Sequence, residues 1–193
     1  MIISHKHKFI FIKTRKTAGS SIEHFLSNYL GPNDICTGSD IDGTPRLNNS
    51  HKKGHIDYKW IEKHYPKEWK SYYKFAVERN PWDKMISYFH WHLNSNDSFE
   101  EFCLDNIEQY NCWFRYANKD KIMVDNLMRY EDIHNEIKKS PLPYNNEMLG
   151  LFKKKGPTIK VKHTYNTIEA IRKSFNNVIR YFNYDYNTQN GLG

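Results

Sequence analysis

Between Lys13 and Ser21 the chain reads Lys-Thr-Arg-Lys-Thr-Ala-Gly-Ser-Ser, which sets two lysines, an arginine and a glycine among hydroxyl side chains. Residue types of this kind can hold an anion. Ala18 and Gly19 are small enough for phosphate oxygens to approach the backbone, and Thr17, Ser20 and Ser21 add side-chain donors. The flanks say how such a loop would be held. Phe9 to Ile12 is a short apolar run of the composition of a central strand. Ile22, Phe25, Leu26 and Tyr29 recur at the spacing of an amphipathic helix. A strand feeding a helix through a polar turn presents unpaired N–H groups at the positive end of the helix dipole. The loop is not a Walker A sequence, because Lys16 precedes the single glycine where that pattern places lysine after its glycines. An ordinary polar βα turn is the plain alternative.

A second pair stands further on. Tyr73 to Arg79 reads as a strand, Asn80 as a helix cap and Pro81 as a first helical residue. Arg79 at the strand end and Ser87 two turns into the helix could meet on one anion at the sheet's C-terminal edge. A structural ion pair for Arg79 and a packed hydroxyl for Ser87 remain open on these residues alone. The helix predicted over 81–93 carries Met85, Ile86, Phe89 and Leu93 on one face, and Ser98 with Glu101 has capping-box spacing for a helix at 98–105. A short helix is expected from His55 to residue 64, a third strand over 121–128 with a helix from about 131, and a last helix over 167–183. Residues 31–54 and 140–166 read as loops that would line the acceptor, and 184–193 as a fraying tail. Strands alternating with helices imply a single α/β domain over residues 1–193, three-layer α/β/α around a central, mostly parallel sheet.

Composition narrows the partners. A chain of 193 residues with a formal charge of +7 and 16% aromatic residues is ordered and should favour an anionic partner. Three cysteines, none in a C-x-x-C pair, make no disulfide framework and suit a reducing compartment. Neither a leader-like apolar segment nor a run of membrane-spanning length is present, so the expected location is the cytoplasm, with no membrane partner. No helix-turn-helix, RNA-recognition or zinc pattern points to nucleic acid. His90 and His92, two apart on a helix, do not face each other as a metal pair would, and no metal is expected.

Taken together the motifs have a likeness. Lys16-Thr17-Ala18-Gly19-Ser20-Ser21 resembles the 5′-phosphosulfate loop of sulfotransferases that use PAPS (3′-phosphoadenosine 5′-phosphosulfate). Arg79-Asn80-Pro81-Trp82-Asp83-Lys84-Met85-Ile86-Ser87-Tyr88 is similar to their 3′-phosphate motif, R-x-P-x-x-R-x-x-S. Met128-Arg129-Tyr130-Glu131-Asp132-Ile133 is similar to their RYEDL segment. Arg15 stands where many members have proline, and Lys84 where they have a second arginine; neither change removes a group the chemistry requires, since both residues are cationic. The chain thus resembles a compact carbohydrate-type sulfotransferase, and its Asn- and Lys-rich composition suits an AT-rich microbial or viral genome.

That resemblance implies a P-loop NTPase-like sulfotransferase fold, PAPS as donor and PAP as product, with in-line transfer to a hydroxyl or amine of a carbohydrate or other small polar acceptor. Arg15, Lys16, Thr17, Ala18, Gly19, Ser20 and Ser21 would hold the 5′ end, Arg79 and Ser87 the 3′-phosphate, and Lys16 would stabilise the leaving charge. His55 is the expected base, in a place resembling the catalytic histidine of uronyl 2-O-sulfotransferase-like members; Glu23 is the rival and His24 a weaker one. Lys153-Lys154-Lys155-Gly156 is either a solvated run or a cover for the 3′-phosphate. Two other classes stay in view: a metabolite kinase, which would prefer ATP with Mg²⁺, and a basic nucleic-acid module, whose binding would be strongly salt-dependent.

Overall fold

Phe9–Ile12 forms a strand, β2, in which all four side chains are buried. An unbroken apolar run, rather than alternation, is what a strand covered on both faces requires. The computed structural model describes residues 1–38, 46–48, 55–92, 98–145 and 161–186. The chain divides into two compact units, Met1–Glu78 with Phe114–Lys154, and Arg79–Trp113 with Lys155–Gly193.

The first unit is built on a five-stranded sheet. With β1 at Ile2–Ser4, β3 at Ile35–Cys36, β4 at Tyr73–Glu78 and β7 at Asn126–Arg129, the strand order is β3-β1-β2-β4-β7. The β2–β4 and β4–β7 pairs are parallel, whereas β1 runs antiparallel to both β2 and β3. Four of the five strands therefore run the same way, as a mostly parallel sheet requires, and β1 alone opposes them, because β1 and β2 form a hairpin. Its turn is tied down by Asp34, which accepts from Ser4 Oγ at 2.7 Å and from the His5 and Lys6 N–H groups. One face packs Phe9, Phe11, Phe75 and Met128 against Ile22, Phe25 and Leu26 of helix α1 (Gly19–Ser27) and Ile133 and Ile137 of α6 (Ile133–Lys138). Phe11 and Phe75 stack at 4.8 Å. Ile10, Ile12 and Ala76, which point the other way, are equally buried.

Several expected boundaries move. The 31–54 loop contains β3, whose apolar pair Ile35 and Cys36 is buried and zipped to β1 and to Leu47; residues 39–45 and 49–54 lie outside the described residues. Helix α2 runs over Tyr58–His64 and starts after Asp57, whose carboxylate takes the Trp60 N–H at 2.9 Å, rather than at His55. Helix α3, Pro66–Ser71, occupies the approach to β4. The run 121–128 divides: Lys121–Ile122 (β6) pairs with Ala117–Asn118 (β5) in a two-stranded ribbon, and β7 begins only at Asn126. A pair of polar residues, Asp125 and Asn126, interrupts that run, and Asp125 instead bonds the Lys74 N–H at 2.7 Å.

The second unit is helical. Helix α4, Pro81–Phe89, is capped as its sequence requires, Asn80 Oδ1 accepting from the Trp82 N–H at 3.0 Å. Helix α5, Phe99–Tyr110, carries the full Ser98–Glu101 capping box and runs beyond residue 105. The single C-terminal helix expected over 167–183 is two, α7 (Tyr165–Ser174) and α8 (Asn176–Phe182). The break comes where Asn111 Nδ2 takes the Ser174 carbonyl at 2.7 Å, an acceptor that a continuous helix would have used itself. The tail does not fray at once, since Tyr184 is buried and the Tyr186 ring packs on Trp82 and His163. Leu93, Lys153 to Lys155 and residues from 187 onward lie outside the described residues. No helix among the described residues is long and apolar enough to cross a membrane.

His163, just before α7, packs edge-on to Phe99, with Nε2 3.1 Å from the Trp82 carbonyl and Nδ1 3.2 Å from Thr167 Oγ1. Burial pushes its imidazole down to about 4 from 6.5. As pH falls below 6.5 the unfolded chain takes this proton first, so stability should decline down to about pH 4 and level off below it. Urea midpoints measured between pH 7.5 and 4 should show that decline in wild type and a shallower one in His163→Gln.

Candidate functional site

At the C-terminal end of β2 the chain turns through residues 13–18 into α1. Lys16 and Ala18 both adopt left-handed backbone, each with φ of 57°, a conformation that reorients successive N–H groups and lets a turn wrap an anion. The first helical bond runs from the Ile22 N–H to the Ala18 carbonyl at 3.0 Å, and no side chain caps this end. The N–H groups of Gly19, Ser20 and Ser21 therefore stand ahead of the intrahelical ladder, at the positive end of the helix dipole. Lys16, Arg15, Ser20 and Ser21 are all half-buried on this turn.

Beneath the turn lies a layer of buried polar groups. Thr14 Oγ1 donates to the Val77 carbonyl, tying the end of β2 to the end of β4. With that proton committed, the Thr17 hydroxyl donates to Thr14 Oγ1 at 2.8 Å. Thr17 is wholly buried, so it braces the loop from below. Gly19 is needed for close approach: a Cβ there would sit 2.8 Å from Lys13 Cγ and 3.2 Å from the Thr14 carbonyl oxygen.

Lys13 is the partner the sequence did not single out. Its Nζ lies 2.7 Å from Glu23 Oε2, and the other carboxylate oxygen accepts from Thr37 Oγ1 at 2.8 Å and from the Met1 ammonium at 2.9 Å. Glu23 has no exposed surface. Burial alone would raise its carboxyl; the ammonium and Lys13 outweigh that and hold it below the usual carboxylate range. The carboxylate of Glu23 is a counter-ion inside the fold.

His55 precedes α2. Its Nδ1 lies 3.0 Å from the Lys13 carbonyl, and since a carbonyl can only accept, the ring carries its proton on Nδ1 and leaves the Nε2 lone pair available. Burial pushes the imidazole down to about 4, and the charges of Lys13 and Arg115 add to it, against the opposing effect of the Lys13 carbonyl. The Arg115 guanidinium donates Nη1 to the His55 carbonyl. A lysine directly after an apolar strand was a faint signal for Lys13. Arg115, 60 residues from its partner, had none.

The first unit thus brings together the loop, Lys13, Glu23, His55 and Arg115. Arg79 and Ser87 belong to the second, Arg79 immediately before the α4 cap and Ser87 within the helix, both half-buried. Between them Lys84 is completely buried, with Nζ 5.7 Å from the centre of the Phe175 ring. Among the described residues no three His, Cys, Asp or Glu side chains are grouped to hold a metal ion.

No curated protein matches the chain. A family model described as "Sulfotransferase family" matches residues 1–148, a span holding the loop, His55, both motif residues Arg79 and Ser87, and Arg115. With most of its length matched, the chain belongs to the sulfotransferase family.

Proposed function

We propose that the protein transfers a sulfuryl group from PAPS to a hydroxyl or amine of a carbohydrate or other small polar acceptor, and that its mixed α/β architecture is the three-layer P-loop NTPase-like sulfotransferase fold. The observation that carries this reading is the uncapped start of α1 behind two left-handed residues, within a chain of the sulfotransferase family. Backbone donors at a helix N-terminus fit a terminal phosphate. The fit is by the N–H groups at the start of α1 and by Ser20 and Ser21, with the buried Thr17 bracing the turn beneath them. Arg79 and Ser87 take the 3′-phosphate by the motif they match, Arg79 through its fork of donors.

PAPS supplies the transferable sulfuryl group and a 5′-phosphate able to leave with the developed charge. Lys16, with the α1 N-terminus, supplies the positive field at that end. His55 Nε2, unprotonated at neutral pH, accepts the acceptor's proton, while the Lys13 carbonyl holds Nδ1–H and so fixes the tautomer. Glu23 is the weaker base, since its carboxylate is enclosed by three donors. The three cysteines are free and buried, and burial pushes the thiols of Cys36 and Cys103 up to about 11 and about 12, which suits a reducing compartment such as the cytoplasm.

The test is calorimetric titration with adenosine 3′,5′-bisphosphate beside ADP and ATP·Mg²⁺. Micromolar binding of the bisphosphate, weakened at least ~10-fold in Arg79→Ala, is expected; a preference for ATP would return the chain to the kinase reading. Gly19→Ala should also weaken the bisphosphate, because the added methyl displaces Lys13 or the Thr14 carbonyl. His55→Ala should leave that affinity intact and cut PAPS turnover, assayed over a panel of sugars and amines, by ~100-fold or more. In wild type the acid limb of kcat/KM should lie near pH 4, since the His55 Nε2 is blocked only below that point.

A further inference from the structure

His55 sits outside regular structure. Residues 55–57 form neither helix nor strand, and Asp57 is already the cap of α2. A residue so placed keeps a fixed geometry only if ties from elsewhere hold it. Three are visible: the imidazole on the Lys13 carbonyl, the buried side chain of Ile56, and the guanidinium of Arg115 on the His55 carbonyl. The last comes from a segment that is itself well anchored. Arg115 closes a single 3₁₀ turn, Trp113–Arg115, and the next residue, Tyr116, is fully buried with its hydroxyl donating to Glu78 at 2.8 Å. The Arg115 guanidinium also lies 4.9 Å over the Phe114 ring. Its Nε is buried with no hydrogen-bond partner among the described residues.

We infer that Arg115 is a positioning residue for His55: it clamps the main chain of residue 55 so that the ring meets the Lys13 carbonyl and keeps Nε2 as the lone-pair nitrogen. The inference rests on the proton-accepting role given to His55 above. Its charge has a second effect, opposing protonation of the ring together with Lys13 and the Met1 ammonium, while Glu23 is paired to both of those. Arg115 thus acts on where the base sits and on which form it takes.

The test is long-range proton–nitrogen NMR of the full chain with ¹⁵N-labelled histidine, His55 being assigned by its loss in His55→Asn. Wild type should show the Nδ1–H tautomer and a titration well below 6.5. Arg115→Gln should mix the tautomers and raise the midpoint by ~0.5 unit or more. Turnover should fall ~10-fold or more with affinity for adenosine 3′,5′-bisphosphate unchanged. Arg115→Lys, the gentler change, should also mix the tautomers while holding the midpoint low, and it carries the test if the glutamine variant does not fold. Wild-type tautomer populations in a folded variant would overturn the inference. Bisphosphate binding separates the two readings: if it binds and the tautomers do not change, Arg115 alone is misassigned; if it does not bind and the tautomers change, the clamp stands and the sulfotransferase chemistry falls.

Discussion

The buried ion pair between Lys13 and Glu23 is the constraint on which the site depends. Lys13 leaves the end of β2 and Glu23 lies one turn into α1, so the pair spans the loop and sets the distance between its two ends. Taking two charges out of water is costly, and the pair holds because both carboxylate oxygens are satisfied, one by Lys13 and the other by Thr37 and the Met1 ammonium. Lys13 serves further ends with the same residue. Its alkyl chain packs where Gly19 has no side chain, and its carbonyl receives the His55 ring. One lysine therefore ties loop, helix and histidine into a single piece.

Around that pair the polar groups have separate duties. The hydroxyls of Thr14 and Thr17 are buried and fasten the loop to β4, while the helical ladder of α1 begins only at the Ile22 N–H. A loop braced by its side chains can offer its backbone to a ligand without reorganising, which is the condition for electrostatic stabilisation to act at full strength. The sheet below supplies rigidity, with the Phe11–Phe75 stack under the strand ends that carry Lys13 and Glu78.

Much of the scaffold was legible in the sequence because its signals are local. The apolar run at residues 9–12, the Asn80-Pro81 start of α4 and the Ser98–Glu101 box each specify one element from a few neighbouring residues, and each is found there. What escaped was set by distant partners. Ile35–Cys36 is too short to show periodicity and is a strand only because β1 lies beside it. The C-terminal helix is broken by an asparagine from another helix's end. At the candidate site, the strand–turn–helix around residues 13–21 was readable from its own composition, whereas the bond from His55 to the Lys13 carbonyl was not. Lys13 and Arg115 carry no pattern of their own, since what matters about them is the residue they reach.

The ties on the candidate site also differ in folding order. The Lys13–Glu23 pair closes over 10 residues, whereas the histidine is held by bonds spanning 42 and 60 and the turn is fastened to β4 by one spanning 63. Loop-closure entropy favours the short contact and delays the long ones. A nascent chain can thus form the Lys13–Glu23 contact well before the turn is fastened to β4 or His55 to its partners, and a lesion that loosens the distant packing would release both while leaving the local pair in place.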